Sequence, residues 1–227
     1  MTHLKRLNIP KTWQIWKKER VFVTRTRPGP HKLVNSVSLN ILLKNLLKYT
    51  KTAKEAKILL NENKILVDGK ARRDLRFPVG VMDIIEIPEI QQSFIILFDE
   101  HGKLIVKPSS KEESKTKTCK IINKTILNGK KVQLNLFDGN NLIVKKDDYK
   151  VGDSVVISVP KKEIKDHLKL QKGALIYLIG GKNIGKFGVL DEIKQFKGIE
   201  EDRIIIKSKS EPIETLKSYA FVVSKQF

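Results

Sequence analysis

The sequence predicts an α+β protein that is mostly β: a basic N-terminal arm (residues 1–37), a small domain of two helices plus strands (38–92), a central β domain (93–171) and a small β-barrel with a tail (172–227). Three observations carry this reading. Helical periodicity is sustained only over residues 38–61. From about Phe94 onward, short apolar runs alternate with Asp, Gly and Asn turns, as antiparallel strands require. Residues 1–33 follow neither a period of 2 nor one of 3.6, and hold nine Lys or Arg against one acid, Glu19.

Each element has a local cause. The arm is interrupted by Pro10, Pro28, Gly29 and Pro30, which exclude a long helix. In the first helix Leu39, Leu42, Leu43, Leu46 and Leu47 recur at three- and four-residue spacing behind Ser38 as N-cap, and the pattern stops near Tyr49-Thr50. Thr52 followed by Glu55 makes a capping box that opens the second helix, with Ala56, Leu59 and Leu60 inward. Ile65-Leu66-Val67 reads as a strand, Asp68-Gly69 as a tight turn, and Met82 to Ile87 as another strand. Phe98 to Val106 and Phe137 to Val144 each read as a hairpin, and both are expected in one sheet. Between them, Lys107 to Lys117 reads as a mobile connection. Val151-Gly152-Asp153 leads into a strand that Pro160 ends. Ala174 to Ile179, Phe187 to Leu190, Arg203 to Lys207 and Tyr219 to Val223 supply the barrel strands.

Composition narrows the class. The 227 residues are 40% hydrophobic, enough for packed cores, but only 7% aromatic, which favours several modest cores over one large one. The 45 Lys and Arg outnumber 25 acids, and a net charge of +20 raises self-repulsion unless a polyanionic partner neutralises it. No apolar run approaches the roughly 18 residues a membrane span needs, and Met1 to Trp16 lacks the apolar stretch of a signal peptide. The lone Cys119 excludes an intrachain disulfide and a cysteine-based zinc site. The expectation is a soluble nucleic-acid-binding protein of a reducing compartment, without a membrane partner.

Catalytic patterns fail on inspection. Gly180 to Lys186 matches seven positions of a phosphate-binding P-loop, but Phe187 stands where a Ser or Thr hydroxyl must ligate magnesium. A strand follows instead of a helix, so nucleotide hydrolysis is rejected. His3, His31, His101 and His167 are scattered without ligand spacing, so no metal is expected, and nothing calls for a cofactor. Cys119 alternates as an inward strand residue. No nucleophile elbow or isolated carboxylate pair is present, and the protein is not expected to be an enzyme or to take a small-molecule substrate.

What remains is a binding surface for RNA. Trp13 and Trp16 among the arm's cations can stack on unpaired bases or pack the arm onto the next domain, and the sequence leaves both open. The arm's candidate contacts are Lys5, Arg6, Lys11, Trp13, Lys17, Lys18, Arg20, Arg25, Arg27, His31 and Lys32. The small domain adds Lys44 and Lys48.

Several motifs carry family resemblance. The strand, glycine-rich basic loop and strand closing on Gly188-Val189 look like the KOW motif of small barrels that bind RNA or proteins. This resemblance implies contacts at Lys182, Asn183 and Lys186, on a loop whose turns need Gly180, Gly181 and Gly185. Residues 38–87 resemble the RNA-binding domain named after the universal fourth protein of the small ribosomal subunit. Glu55-Ala56-Lys57 stands for its Glu-Ala-Arg and Val67-Asp68-Gly69-Lys70 for its turn, although Thr52-Ala53 replaces a usual Ser-Arg. Its resemblance to this domain implies contacts at Lys51, Lys54, Lys70, Arg72, Arg73 and Arg76. His3 to Asn8, Pro10-Lys11-x-Trp13 and Arg27-Pro28-Gly29-Pro30-His31-Lys32-Leu33, followed by these modules, resemble the archaeal and eukaryotic (e-type) fourth small-subunit protein across nearly the whole chain. That resemblance implies a single-copy structural constituent of the cytoplasmic small ribosomal subunit, bound to its ribosomal RNA and neighbouring proteins. The competing expectation is a transient ribosome-assembly or translation factor; an RNA-modifying enzyme lacks a segment to hold its catalytic domain.

Overall fold

Residues 3–129, 131–145, 147–196, 200–208 and 212–224 are described by a computed structural model, in which the chain divides into two units. The first is built from the described residues up to Phe98, with Lys103–Lys117 and Val159–Lys161. Strands β1 (Leu4–Lys5) and β2 (Phe22–Val23) pair antiparallel and close residues 6–21 into a loop. Strand β3 (Ser36–Ser38) leads into α1 (Leu39–Ile41), whose first turn Ser38 caps by accepting from the Ile41 N–H. The helix then widens into a π-turn over Leu42–Leu46, where the Leu47 N–H reaches the Leu42 carbonyl at 2.8 Å.

Helix α2 (Ala53–Asn61) starts where the capping box predicts. Thr52 Oγ1 accepts from the Glu55 N–H at 3.3 Å, and the Glu55 carboxylate accepts from the Lys51 N–H at 2.8 Å. Strands β4 (Leu66–Val67) and β5 (Lys70–Ala71) turn through Asp68 and Gly69, with φ of 49° and 66°, the left-handed pair that suits a two-residue hairpin. Strand β6 (Pro78–Gly80) pairs with β3. Strands β7 (Ile84–Ile87), β8 (Gln92–Phe98) and β9 (Leu104–Ser109) complete a five-stranded antiparallel sheet in the order β5-β4-β7-β8-β9. Leu39, Leu42, Leu43, Ala56, Leu60 and Ile85 are fully buried in this unit.

The first unit also buries charge. Asp83, on the turn before β7, accepts from His31 Nε2 at 2.9 Å, from Lys117 Nζ at 2.6 Å and from the Gly80 N–H at 2.8 Å. Lys117 Nζ also bonds Asp68 at 2.6 Å. Burial alone would raise the Asp83 carboxyl, but the charges of His31 and Lys117 outweigh it and hold the group far below the ordinary carboxylate range. At Asp68 burial wins over Lys117, and the carboxyl is raised. Gly80 is required for this arrangement, because a Cβ there would lie 2.4 Å from the His31 ring.

The second unit comprises Asp99–Gly102, Thr118–Ser158 and the described residues from Lys162 on. Strands β10 (Thr116–Leu127), β11 (Lys131–Leu136), β12 (Asn141–Val144), β13 (Ser154–Ser158) and β14 (Ile164–Leu168) form one five-stranded sheet, ordered β12-β11-β10-β13-β14. Cys119, Ile121, Val132, Leu134, Leu136, Val155 and Ile157 make its core. Strands β15 (Leu175–Leu178), β16 (Phe187–Lys194), β17 (Arg203–Lys207), β18 (Pro212–Leu216) and β19 (Ala220–Val222) form another, ordered β18-β17-β16-β15-β19. A separate cluster of Ile176, Leu178, Leu190, Ile204, Ile206, Ile213 and Ala220 fills it. Two modest cores in one unit are what a chain poor in aromatics supports.

The structure corrects several expectations. Lys107 to Lys117 is not a mobile connection: β9 runs through Ser109, opposite Ser93, and the Glu113 carboxylate accepts from Ser109 Oγ at 2.9 Å. Polar composition concealed it, because β8 supplies a full ladder for any neighbour to pair with. The two hairpins lie in different sheets, since β8 pairs on its other edge with β7 and β11 with β10. Residues 4–37, read as a basic arm, are anchored in the first unit, with Trp13 taking the packing role left open for it. Their anchors are single side chains and carbonyls, which leave no periodicity to read. Strand β18 was not foreseen; Pro212 at its start and two charged or polar positions hide it.

Candidate nucleic-acid interface

The loop closed by β1 and β2 carries both tryptophans, and it treats them oppositely. Trp13 is 3% exposed, and its Nε1 donates to the Ser36 carbonyl at 2.8 Å. Thr12 adds two anchors: its Oγ1 donates to the Val34 carbonyl at 2.7 Å, and its own carbonyl accepts from the Leu104 N–H at 2.7 Å. Trp16, three residues on, is 84% exposed. The carbonyl of Trp16 accepts from Arg6 Nε, while Arg6 Nη2 pairs with Glu19 at 2.5 Å. Buried Arg6 therefore clamps the segment that presents the exposed indole. Together Trp13, Trp16, Lys44, Lys48 and Lys103 line one cleft with the amides of Gln14 and Asn45.

A second basic cleft in the same unit gathers Arg25, Arg27, His31, Lys32 and Arg76 around Pro28-Gly29-Pro30. Among the described residues, no acidic side chain lines either cleft. Arg27 is tethered to Asp74 at 2.9 Å, outside the lining. Lys5, Lys11, Lys17, Lys18, Arg20, Lys51, Lys54 and Lys70 are exposed. Arg73 is also exposed and donates to Asn63 at 3.1 Å, and Arg72 lies 4.5 Å over the Phe77 ring. Three of the predicted contacts are buried: Arg6, Trp13 and His31, at 5%, 3% and 7% exposure, are each bonded inside the unit.

In the second unit, Lys182, Asn183 and Lys186 share the loop between β15 and β16, with Lys182 exposed and Lys186 donating to Asn183 Oδ1 at 3.0 Å. Gly185 donates to the Leu178 carbonyl at 2.8 Å, which pulls the loop tight. A Cβ on Gly180 would sit 2.5 Å from the Tyr219 ring. Gly180 and Gly181 serve the packing of the loop onto Tyr219, whereas a Cβ on Gly185 would meet the Asp99 backbone.

The chain has close relatives of known name along nearly its whole length. It is 39% identical to the small ribosomal subunit protein eS4 of Methanococcus vannielii, over 98% of this chain and 94% of that one. To the Methanosphaera stadtmanae protein of the same name it is 42% identical, over 98% and 92%. The chain belongs to the S4e family of ribosomal proteins. The model of ribosomal family S4e matches residues 90–164, and that of the RS4NT (NUC023) domain matches residues 2–34. The S4e crystal structure from Thermoplasma acidophilum superposes with a TM-score of 0.73 at 30% identity, covering 83% of this chain and 95% of that one.

Within this S4e chain the sequence did not single out Lys103. It follows the turn of the β8–β9 hairpin, and only the tertiary fold brings it to Trp16. Lys120 in the second unit is likewise unannounced. Burial, and then the charge of Lys217, push its amine down to about 8, and Nζ donates to the Ser218 carbonyl at 2.7 Å. Among the described residues, no cluster of His, Cys, Asp and Glu could hold a metal ion.

Proposed function

We propose that this protein is a structural constituent of the small ribosomal subunit, present in one copy, that binds ribosomal RNA chiefly through the first unit and has ribosomal proteins as neighbours. Membership of the S4e family supports the reading. The observation that carries it is the pair of clefts lined by Lys and Arg without a carboxylate, because such surfaces release condensed counterions from crowded phosphates. A fixed surface of this kind suits RNA, which proteins recognise largely by shape and backbone. We also read residues 38–92 as an RNA-binding module and the loop at Gly180 to Lys186 as KOW-type, with Lys182 outward. Neither a cofactor nor a small-molecule substrate enters, and the ribosome's own compartment, the cytoplasm, is its place.

Gradient sedimentation of the tagged protein from its host tests this. Residence in the small-subunit peak at one copy, retained through a high-salt wash with magnesium present, is expected. Release by salt, or occurrence only in immature particles, overturns it.

A further inference from the structure

Trp16 poses a problem that general RNA binding does not answer. A large indole costs free energy when exposed to water, and an isolated solvent-facing side chain on a loose loop would need no explanation. This one is not on a loose loop. Residues 6–21 are closed by the β1–β2 ladder, and the Arg6 N–H donates to the Val21 carbonyl at 2.9 Å. Buried Arg6 then grips the Trp16 carbonyl, and Trp13 pins the chain three residues away. The fold spends a buried arginine and a buried tryptophan to hold another tryptophan outward.

What surrounds the indole sets the ligand's chemistry. The cleft of about 680 Å³ falls within the range of roughly 300–1,000 Å³ that small-molecule pockets occupy. Lys44, Lys48 and Lys103 supply cations, and the amides of Gln14 and Asn45 supply donors and acceptors. Lys44 and Asn45 sit on the π-turn, a local widening of the helix that recurs at binding sites. Lys48 holds a left-handed backbone at φ 57°, unusual for a residue with a side chain. A flat ring, amides and cations around one cleft match a nucleotide: a base for the ring, its edge for the amides, phosphates for the lysines. An acidic peptide would use the lysines but leave the indole face without a partner.

We propose that the Trp16 cleft is a stacking pocket for an unpaired nucleotide of RNA, with its base on the indole and its flanking phosphates on Lys44, Lys48 and Lys103. The proposal rests on the RNA-binding reading above and narrows it to single-stranded or bulged RNA at this place.

Intrinsic fluorescence of the full chain tests it, because the two tryptophans differ in exposure and only Trp16 emits from a wet environment. The protein is titrated with a single-stranded RNA of about eight nucleotides, with a blunt RNA duplex of equal length, and with polyglutamate. Single-stranded RNA should quench the red-shifted emission, and Trp16→Leu should remove that signal. Trp16→Leu should also weaken single-strand binding by about fivefold or more, the loss of one base stacked on an aromatic ring, while duplex affinity stays within about twofold. Binding of both RNAs with the red-shifted emission unquenched, or equal affinity in Trp16→Leu, overturns the pocket and leaves RNA binding standing. Equal quenching by polyglutamate overturns the nucleotide assignment. Failure of every RNA to bind removes the RNA-binding reading itself. Lys44→Gln with Lys103→Gln, neither of which disturbs the loop anchors, should lower the single-strand affinity in the same direction; no loss there also counts against the pocket.

Discussion

At the residue scale, the most consequential side chains are polar groups used inside the first unit. Asp83 holds His31 and Lys117 together, and both partners are nearly sealed from water, at 1% and 2% side-chain exposure. Its carboxyl sits far below the ordinary value because burial, which opposes ionisation, is outweighed by two adjacent charges. A group whose acidity is strengthened by folding adds stability above its unfolded pKa, near 4, and loses that contribution as pH falls further. Asp68 works in the opposite direction, raised by burial, and opposes folding above its unfolded value. Denaturant melts at pH 7 and pH 3 should therefore show a steep loss on the acid side, and Asp83→Asn should flatten it. At pH 7 the same substitution should cost about 3–5 kcal/mol, because it leaves a buried lysine short of its counter-charge. A parallel acid slope in both proteins would assign the loss to other carboxylates.

At the element scale, α2 shows what a sequence reveals and what it withholds. Its start is legible because a cap is local: Thr52 and Glu55 lie within one turn, and their bonds form where the spacing demands. The bonds from Lys51 and Thr52 also hold the Glu55 carboxyl below its ordinary value. Thr52→Ala should cost about 1 kcal/mol, read as a lower urea midpoint at unchanged slope, with Thr52→Ser close to neutral. An unchanged midpoint in the alanine variant would show that tertiary packing alone sets this terminus. The β4–β5 turn is legible for the same reason, since Asp68-Gly69 selects its own backbone. The N-terminal segment is not. Trp13 reaches Ser36 across 23 residues, and Arg6 reaches Trp16 and Glu19 within a loop of no period, so its charge was visible but its anchorage was not. Sheet membership was not legible: each hairpin was apparent, but each pairs with the strand just before it in the chain, β8 with β7 and β11 with β10, and so the two fall in separate sheets. Candidate contacts divided along the same line. Solvated lysines were identified from composition, whereas the place of Lys103 and the burial of His31 required the fold.

At the scale of the whole molecule, a net charge of +20 raises self-repulsion, which a polyanionic partner would relieve. The first 33 residues hold nine of the 45 Lys and Arg, and among these Arg6 is engaged with Glu19 and Arg27 with Asp74. Deleting the segment would confuse two effects, since Trp13 and Thr12 anchor it to the unit's interior and their loss would expose apolar surface. Neutralising exposed cations isolates the electrostatic effect. Lys17, Lys18 and Arg20 are exposed on the loop bearing Trp16. Replacing all three with Gln should change stability by less than about 0.5 kcal/mol per site. The slope of log affinity for ribosomal RNA against log salt should become shallower by about 0.7–0.9 for each cation that meets a phosphate, or roughly 2–3 in all. Affinity measured at several salt concentrations separates this from a loss of stacking, which shifts the line without tilting it. A slope unchanged by the triple substitution would move the phosphate contacts off this loop to the cleft of Arg25, Lys32 and Arg76, where the corresponding Gln variants should then carry the change.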